Sequence, residues 1–222
     1  MVIEGALTLT GHSLDVTAET IEVKNTISTS YGAGAAGNIT FNGYHITLDS
    51  GAAFLAVGSA ADGSNSGDIS LLAVDNNALW TPVLNIDVSD VDVTIGTNVV
   101  IKGRDITILA TADSRKVLGA KEWYIDFPVN TLADLMEGLA QTLVGVSVGT
   151  ADSLIDFQAG TEITGRNLTA HASSMVKVKA TSMGPAVGVA VTGAKVNVDG
   201  AITTSENATI RATTDQTIDV MS

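Results

Sequence analysis

The stretch GRDITILA, Gly103 to Ala110, decides how the whole chain is read. It opens with a glycine, which can take a sharp corner. A short polar residue, Asp105, follows one position after Arg104 and can bond turn backbone or a neighbour stacked above it. Then Ile106, Thr107 and Ile108 alternate apolar, polar, apolar. That period of two means a strand with one buried face. Ala110 closes the unit, small enough for a tight corner.

Working outward, the same unit recurs as GHSLDVTA from Gly11, GYHITLDS from Gly43, SGDISLLA from Ser66, GRNLTAHA from Gly165 and SENATIRA from Ser205. An apolar residue stands two positions ahead of four copies, namely Leu9, Phe41, Ile101 and Ile163. Further alternating runs lie between the copies, such as Leu84/Ile86/Val88, Val91/Val93/Ile95 and Val187/Val189/Val191. Short units repeated at irregular distance fit a solenoid whose coils hold roughly 20 residues plus insertions. The expected fold is all-β, a right-handed parallel β-helix formed by residues 1–222 as a single domain. About ten coils at ~4.8 Å each would make a rod near 50 Å long. The buried phase changes at Ser89-Asp90, between Ile86/Val88 and Val91/Val93, which predicts a corner there.

Composition agrees with a thin, layered core. Apolar residues make up 45% of the chain and aromatics only 4%, so the apolar content is mainly Ala, Val, Leu and Ile. A two-sheet sandwich usually has more aromatic bulk at its centre. The net charge of −13 opposes nucleic acid and anionic lipid but accommodates divalent cations. With no cysteine, disulfides and thiolate metal sites are excluded. No run reaches the ~20 apolar residues of a membrane-spanning helix. Met1-Val2-Ile3-Glu4-Gly5 lacks a basic start and an apolar run, so an interior piece of a longer exported protein is expected.

Two insertions interrupt the repeats. Ser59–Asn65 is small and polar and reads as a surface loop. A larger excursion is expected over about 120–160. Within it Leu132, Leu135, Met136, Leu139 and Leu143 fall at helical spacing, and Asp134 stands three after Thr131 as in a capping box. This predicts a helix over about 131–143. Its apolar face either packs on the solenoid's flank or serves as an interaction surface through Leu132, Leu135, Met136 and Leu139.

The repeated units, together with the valine–alanine run GPAVGVAVTGAKVNVDGAITT at 184–204, resemble the filamentous-haemagglutinin-like adhesins and related large repetitive exoproteins of bacteria. The resemblance covers most of the chain outside about 120–160. It implies a right-handed parallel β-helix, export to the cell surface or medium, and adhesion or filament building. The amino-terminal secretion domain of that family is not in this sequence, in keeping with an interior segment. Its implied partners are flanking coils of the same protein, neighbouring subunits, and cell-surface carbohydrate or protein. No functional residue carries over, because the shared positions are structural.

Candidate chemistry is sparse. Calcium is the one cofactor candidate. Asp87, Asp90 and Asp92 cluster at the expected corner, and Asp62 and Asp68 flank the first loop beside Asn65. Neither group has EF-hand or nonapeptide spacing. Of the histidines, His12 and His45 belong to the repeat's turn and His171 sits between Ala170 and Ala172. Stacked coils could bring Arg104, Asp105, Arg166 and His171 to one face. Asp105 and His171 are then the acid–base candidates for a polysaccharide lyase or hydrolase. Three readings stay open: a non-catalytic structural or adhesive segment, a polysaccharide-active enzyme, and a subunit of a self-assembling extracellular filament.

Overall fold

The computed structural model describes residues 1–75, 84–117, 145–181 and 186–221. Strands are numbered in chain order. One sheet carries β1 (Val2–Ile3), β4 (Thr20–Val23), β7 (His45–Leu48), β10 (Leu84–Ile95), β13 (Gly145–Phe157) and β15 (Ala186–Val198). A second, ten-stranded sheet bends into two limbs. The first limb is β2 (Leu7–Thr8), β5 (Thr26–Ser28), β8 (Ala53–Leu55) and β11 (Val100–Lys102). The second is β3 (Leu14–Thr17), β6 (Ile39–Gly43), β9 (Ile69–Asp75) and β12 (Asp105–Val117). Two long strands, β14 (Glu162–Thr181) and β16 (Ala201–Met221), turn the bend and lie on both limbs.

All strand pairings among the described residues are parallel, and each joins a strand to its counterpart one pass later. The chain therefore circles three walls and stacks each pass on the last, a solenoid-like arrangement. The described residues make six passes, where about ten coils were expected. At ~4.8 Å per step the first and last are roughly 25 Å apart. The shortfall comes mainly from later passes well over 20 residues long, since β14 and β16 alone hold 20 and 21 residues, and partly from insertions at the corners. Residues between β5 and β6, and between β8 and β9, add length without adding a wall. Among the described residues there is no helix, and residues 131–143 lie outside them. Of the excursion expected over 120–160, residues 145–157 form β13 within the fifth pass.

Inside the three walls the core consists of columns of branched side chains in register. Leu7, Ile27, Phe54, Ile101, Ile163 and Ile202 line one limb. Ile21, Ile46, Val93 and Ile155 line the flat sheet opposite. Phe41 and Phe54 meet edge to face, 5.1 Å between centroids. The alternation seen in the sequence is this register: one face of every strand meets the same kind of side chain above and below.

Beyond the three-walled part, β10, β12, β13, β14, β15 and β16 run on as a flattened two-sheet arm. Its interior mixes buried polar residues, Asp75, Asp87, Ser89, Ser114, Ser147, Ser153 and Ser174, with Ala112, Ala151, Ala180, Val176 and Val178. Two expectations change here. β10 runs straight through Ser89-Asp90 with no corner, so Asp87 and Ser89 point inward and Val88 points outward, 67% exposed. Likewise Ala73, Ala110 and Ala172 lie within continuous strands and fully buried, where a corner was expected. Small inward residues let the two sheets of the arm approach closely, which is a different use for the same alanine.

Candidate functional site

Five of the six sequence repeats share one position on the second limb, in β3, β9, β12, β14 and β16. The sixth does not: GYHITLDS is β7, on the flat sheet. Its place in the stack is taken by AGNITFNG, Ala36 to Gly43, whose Ile39 pairs with Leu14 below and Ile69 above. That copy escaped the pattern because it opens with alanine. Its closing glycine was also the opening glycine of the overlapping match.

With this correction, one polar side chain from each pass lines up at the corner leading into the second limb: Ser13, Asn38, Asp68, Asp105, Asn167 and Asn207. Each accepts or donates a bond to the next. Ser13 Oγ accepts the Asn38 N–H at 3.0 Å. Asn38 Oδ1 accepts the Asp68 N–H at 2.9 Å, and Asp68 Oδ1 the Asp105 N–H at 3.3 Å. Asn167 Nδ2 donates to Asp105 Oδ1 at 2.8 Å, and Asn167 Oδ1 accepts the Asn207 N–H at 3.2 Å. A corner frees backbone donors from the strand ladder, and a side-chain oxygen one pass away satisfies them.

Two arginines brace the same corner. Arg104 donates to both oxygens of Asp68, Nε at 2.9 Å and Nη2 at 2.8 Å, and lies 3.7 Å from Asp105. Arg166 grips both oxygens of Asp105, Nε at 3.0 Å, and lies 3.9 Å from Glu206. These are fork-to-fork contacts between successive passes. The Arg166 guanidinium, with help from Asn167 and Arg104, holds the Asp105 carboxyl below the usual carboxylate range against the opposing effect of burial. Both oxygens of Asp105 thus act as acceptors of bonds that join one pass to its neighbours.

The gathering of Arg104, Asp105 and Arg166 follows the sequence expectation. His171 faces the same way on β14, four residues beyond Asn167, which is about 13 Å along a strand. Its Nε2 is 2.8 Å from Thr213 Oγ1 on the next pass. His45 sits on the flat sheet, with Nδ1 2.5 Å from Asp92 Oδ1. His12 is exposed in the first turn.

The calcium candidates are spread out. Asp87 is buried and accepts the Ser114 hydroxyl at 2.8 Å, whereas Asp90 and Asp92 are on the opposite, outer side of β10. Asp62 caps its own loop by accepting the Ser64 N–H at 3.0 Å, which draws its carboxyl below the usual range. Asp68 is engaged by Arg104. Among the described residues, no three His, Asp or Glu side chains converge as a metal cage would require. Leu132, Leu135, Met136 and Leu139 lie outside the described residues.

Sequence reasoning missed one concave feature. Where the first two passes turn back and β9 runs on past them, a cleft of about 530 Å³ opens, lined by Glu19, Asn42, Tyr44, Leu72 and Val74 among others. It exists because neighbouring passes differ in width, a property of the stack that no single repeat encodes. Scans against protein-family models, curated proteins and solved structures found no match to the chain.

Proposed function

We propose that this chain is a structural, adhesive segment of a right-handed β-helical exoprotein at the bacterial cell surface or outside the cell, and that it works without catalysis. One observation carries the reading. The polar and charged side chains that could have formed a reactive cluster are spent on bonds between passes, from Ser13 to Asn207, with Arg104 and Arg166 locking three passes together. A corner tied this way resists separation of one pass from the next, which suits a protein that extends and grips rather than one that turns over substrate. The right-handed sense follows from the strong preference of parallel crossovers for that hand. Exposed outer faces then meet carbohydrate or protein, and the ends of the stack meet further coils.

The test is a panel of acidic and neutral polysaccharides, scored for binding and for new chain ends. Binding without cleavage is the expected result. Cleavage that disappears in Asp105→Asn or His171→Ala would overturn the reading in favour of a β-helical lyase or hydrolase.

A further inference from the structure

The step in width between the second and third passes builds a cleft that combines an aromatic residue, two aliphatic side chains and three hydrogen-bonding groups. The strands beneath it end early. β3 stops at Thr17 and β4 starts at Thr20, so Ala18 and Glu19 make that corner. β6 stops at Gly43 and β7 starts at His45, which leaves Tyr44 as the corner of the next pass. β9 does not turn there: Ala73 pairs with Gly43, and Val74 runs on past the corner. Thr17, Asn42 and Leu72 stack in one outward column of the second limb, the first two exposed and the third half-buried. With Glu19, Tyr44 and Val74 they line a concavity of about 530 Å³. Small-molecule sites span ~300–1,000 Å³. Coils preceding the first pass would stack beneath β1 to β3 and leave this step in place. The wall is set before any ligand arrives. The Glu19 carbonyl accepts the Tyr44 N–H at 2.8 Å and the His45 N–H at 3.2 Å, and the Asn42 carbonyl accepts the Ala18 N–H at 3.0 Å. A Cβ on Gly43 would lie 2.4 Å from the Ala18 oxygen, so the two corners meet backbone to backbone. A wall held this way loses little affinity to ordering.

We propose that this cleft binds one pyranose unit of a neutral glycan, its apolar face against Tyr44, Leu72 and Val74 and its hydroxyls bonded to Thr17, Glu19 and Asn42. The proposal rests on the adhesive reading above and gives it a place and a ligand class. The lining selects the ligand. A sugar ring carries C–H groups on its faces and hydroxyls round its rim, and it needs both kinds of partner at once. An aromatic face beside an amide, a hydroxyl and a carboxylate supplies them. A wholly apolar ligand would strip water from the three polar groups and offer them no bond in return. Charge narrows the class further. No Lys or Arg lines the cleft, Glu19 carries a negative charge, and the chain as a whole stands at −13. Sulfated, phosphorylated and uronic acid chains are therefore repelled, and a neutral sugar is not.

Isothermal titration calorimetry of the 222-residue chain with neutral gluco-, manno- and galacto-hexasaccharides tests this, with heparin and an oligolysine as charged probes. At least one neutral hexasaccharide should bind with a Kd of about 0.1–1 mM, the strength that a ligand of one sugar unit's size reaches. Heparin and oligolysine should bind more weakly or not at all. Tyr44→Ala should weaken sugar binding about tenfold or more, whereas Tyr44→Phe, which keeps the ring, should stay within about threefold. Asn42→Ala, at an exposed position, should also cost about tenfold. Tyr31→Ala, at an exposed tyrosine outside the cleft, should change nothing. Should Tyr44→Ala fail to fold, Asn42→Ala gives the same comparison. Absence of binding by all three neutral probes, binding that survives both Tyr44→Ala and Asn42→Ala, or tighter binding of heparin or oligolysine would each overturn the proposal. The adhesive reading fails separately. Cleavage of a polysaccharide sinks it wherever the sugar sits, whereas binding that ignores the cleft variants leaves it standing.

Discussion

Ser89→Ala and Val88→Ala, made separately, test the least expected feature of the fold. In β10 the serine points into the arm at 2% exposure and the valine points out at 67%. Ser89 Oγ is buried without a hydrogen-bond partner. An unsatisfied buried hydroxyl costs about 1–3 kcal/mol, so removing it at nearly constant volume should stabilise the protein by about 1–2 kcal/mol. Val88→Ala removes two methyl groups that are mostly in water already, so its effect should stay within about 0.5 kcal/mol. The opposite phase makes the opposite forecast. An inward Val88 would lose about 2 kcal/mol on truncation, from transfer and cavity together. An outward Ser89 would be indifferent to alanine. Urea unfolding with a slope of about 2 kcal/mol per molar turns the expected gain into a midpoint shift of about +0.5 to +1 M for Ser89→Ala. A fall of the midpoint for Ser89→Ala, or a fall of 1 M for Val88→Ala, would refute the assigned phase of β10 and the continuous arm built on it.

Three further outcomes follow from the same structure. Phe54→Ala empties a fully buried position beside Phe41 and should cost about 3–5 kcal/mol, read as a lower urea midpoint. Gly67→Ala would place a Cβ 2.0 Å from the Gly37 carbonyl oxygen one pass below, so the passes must separate there, and a loss of about 3 kcal/mol or more is expected from the same measurement. Asp105 has a folded pKa depressed mainly by Arg166, so its stabilising contribution is present above the unfolded value near ~3.9 and is lost as pH falls through the lower folded value. The stability difference between wild type and Asp105→Asn should therefore be flat from about pH 5 to 7 and shrink below about pH 4; a difference that grows on acidification would contradict the Arg166 pairing.

What was legible in the repeats, and what was not, divides along a physical line. Where the inward residues are Ile, Leu, Val or Phe, as in Ile106-Thr107-Ile108, hydrophobic alternation reports the buried face directly, and the strands are where the sequence places them. In the arm most inward residues of β10, β12 and β13 are Ser, Ala, Gly and Asp, which carry little hydrophobic signal, and buried valines such as Val176 and Val178 lie on β14. There the outward valines Val88, Val187, Val189 and Val191 mimic a buried row. The same blindness moved the corner to Ser89-Asp90. The candidate site was half visible. Each repeat displays its polar residue, and Arg104-Asp105 and Arg166-Asn167 are adjacent in sequence. Their bonds, however, run between passes 36 to 62 residues apart.

The sequence by itself determined that parallel strands with a thin aliphatic core are stacked on one another, because a side-chain period of two and a recurring turn residue are properties of each local segment. Only the tertiary structure decided how many passes there are, which copy stands above which, and where the stack widens into an arm. Those depend on the length of chain spent in each strand and at each corner, and on contacts between residues dozens of positions apart. It likewise decided that Asp105 is held by Arg166 from the next pass and that Asn38 completes the polar corner. A residue's own segment specifies the direction in which it points, whereas the neighbouring pass specifies what it meets there.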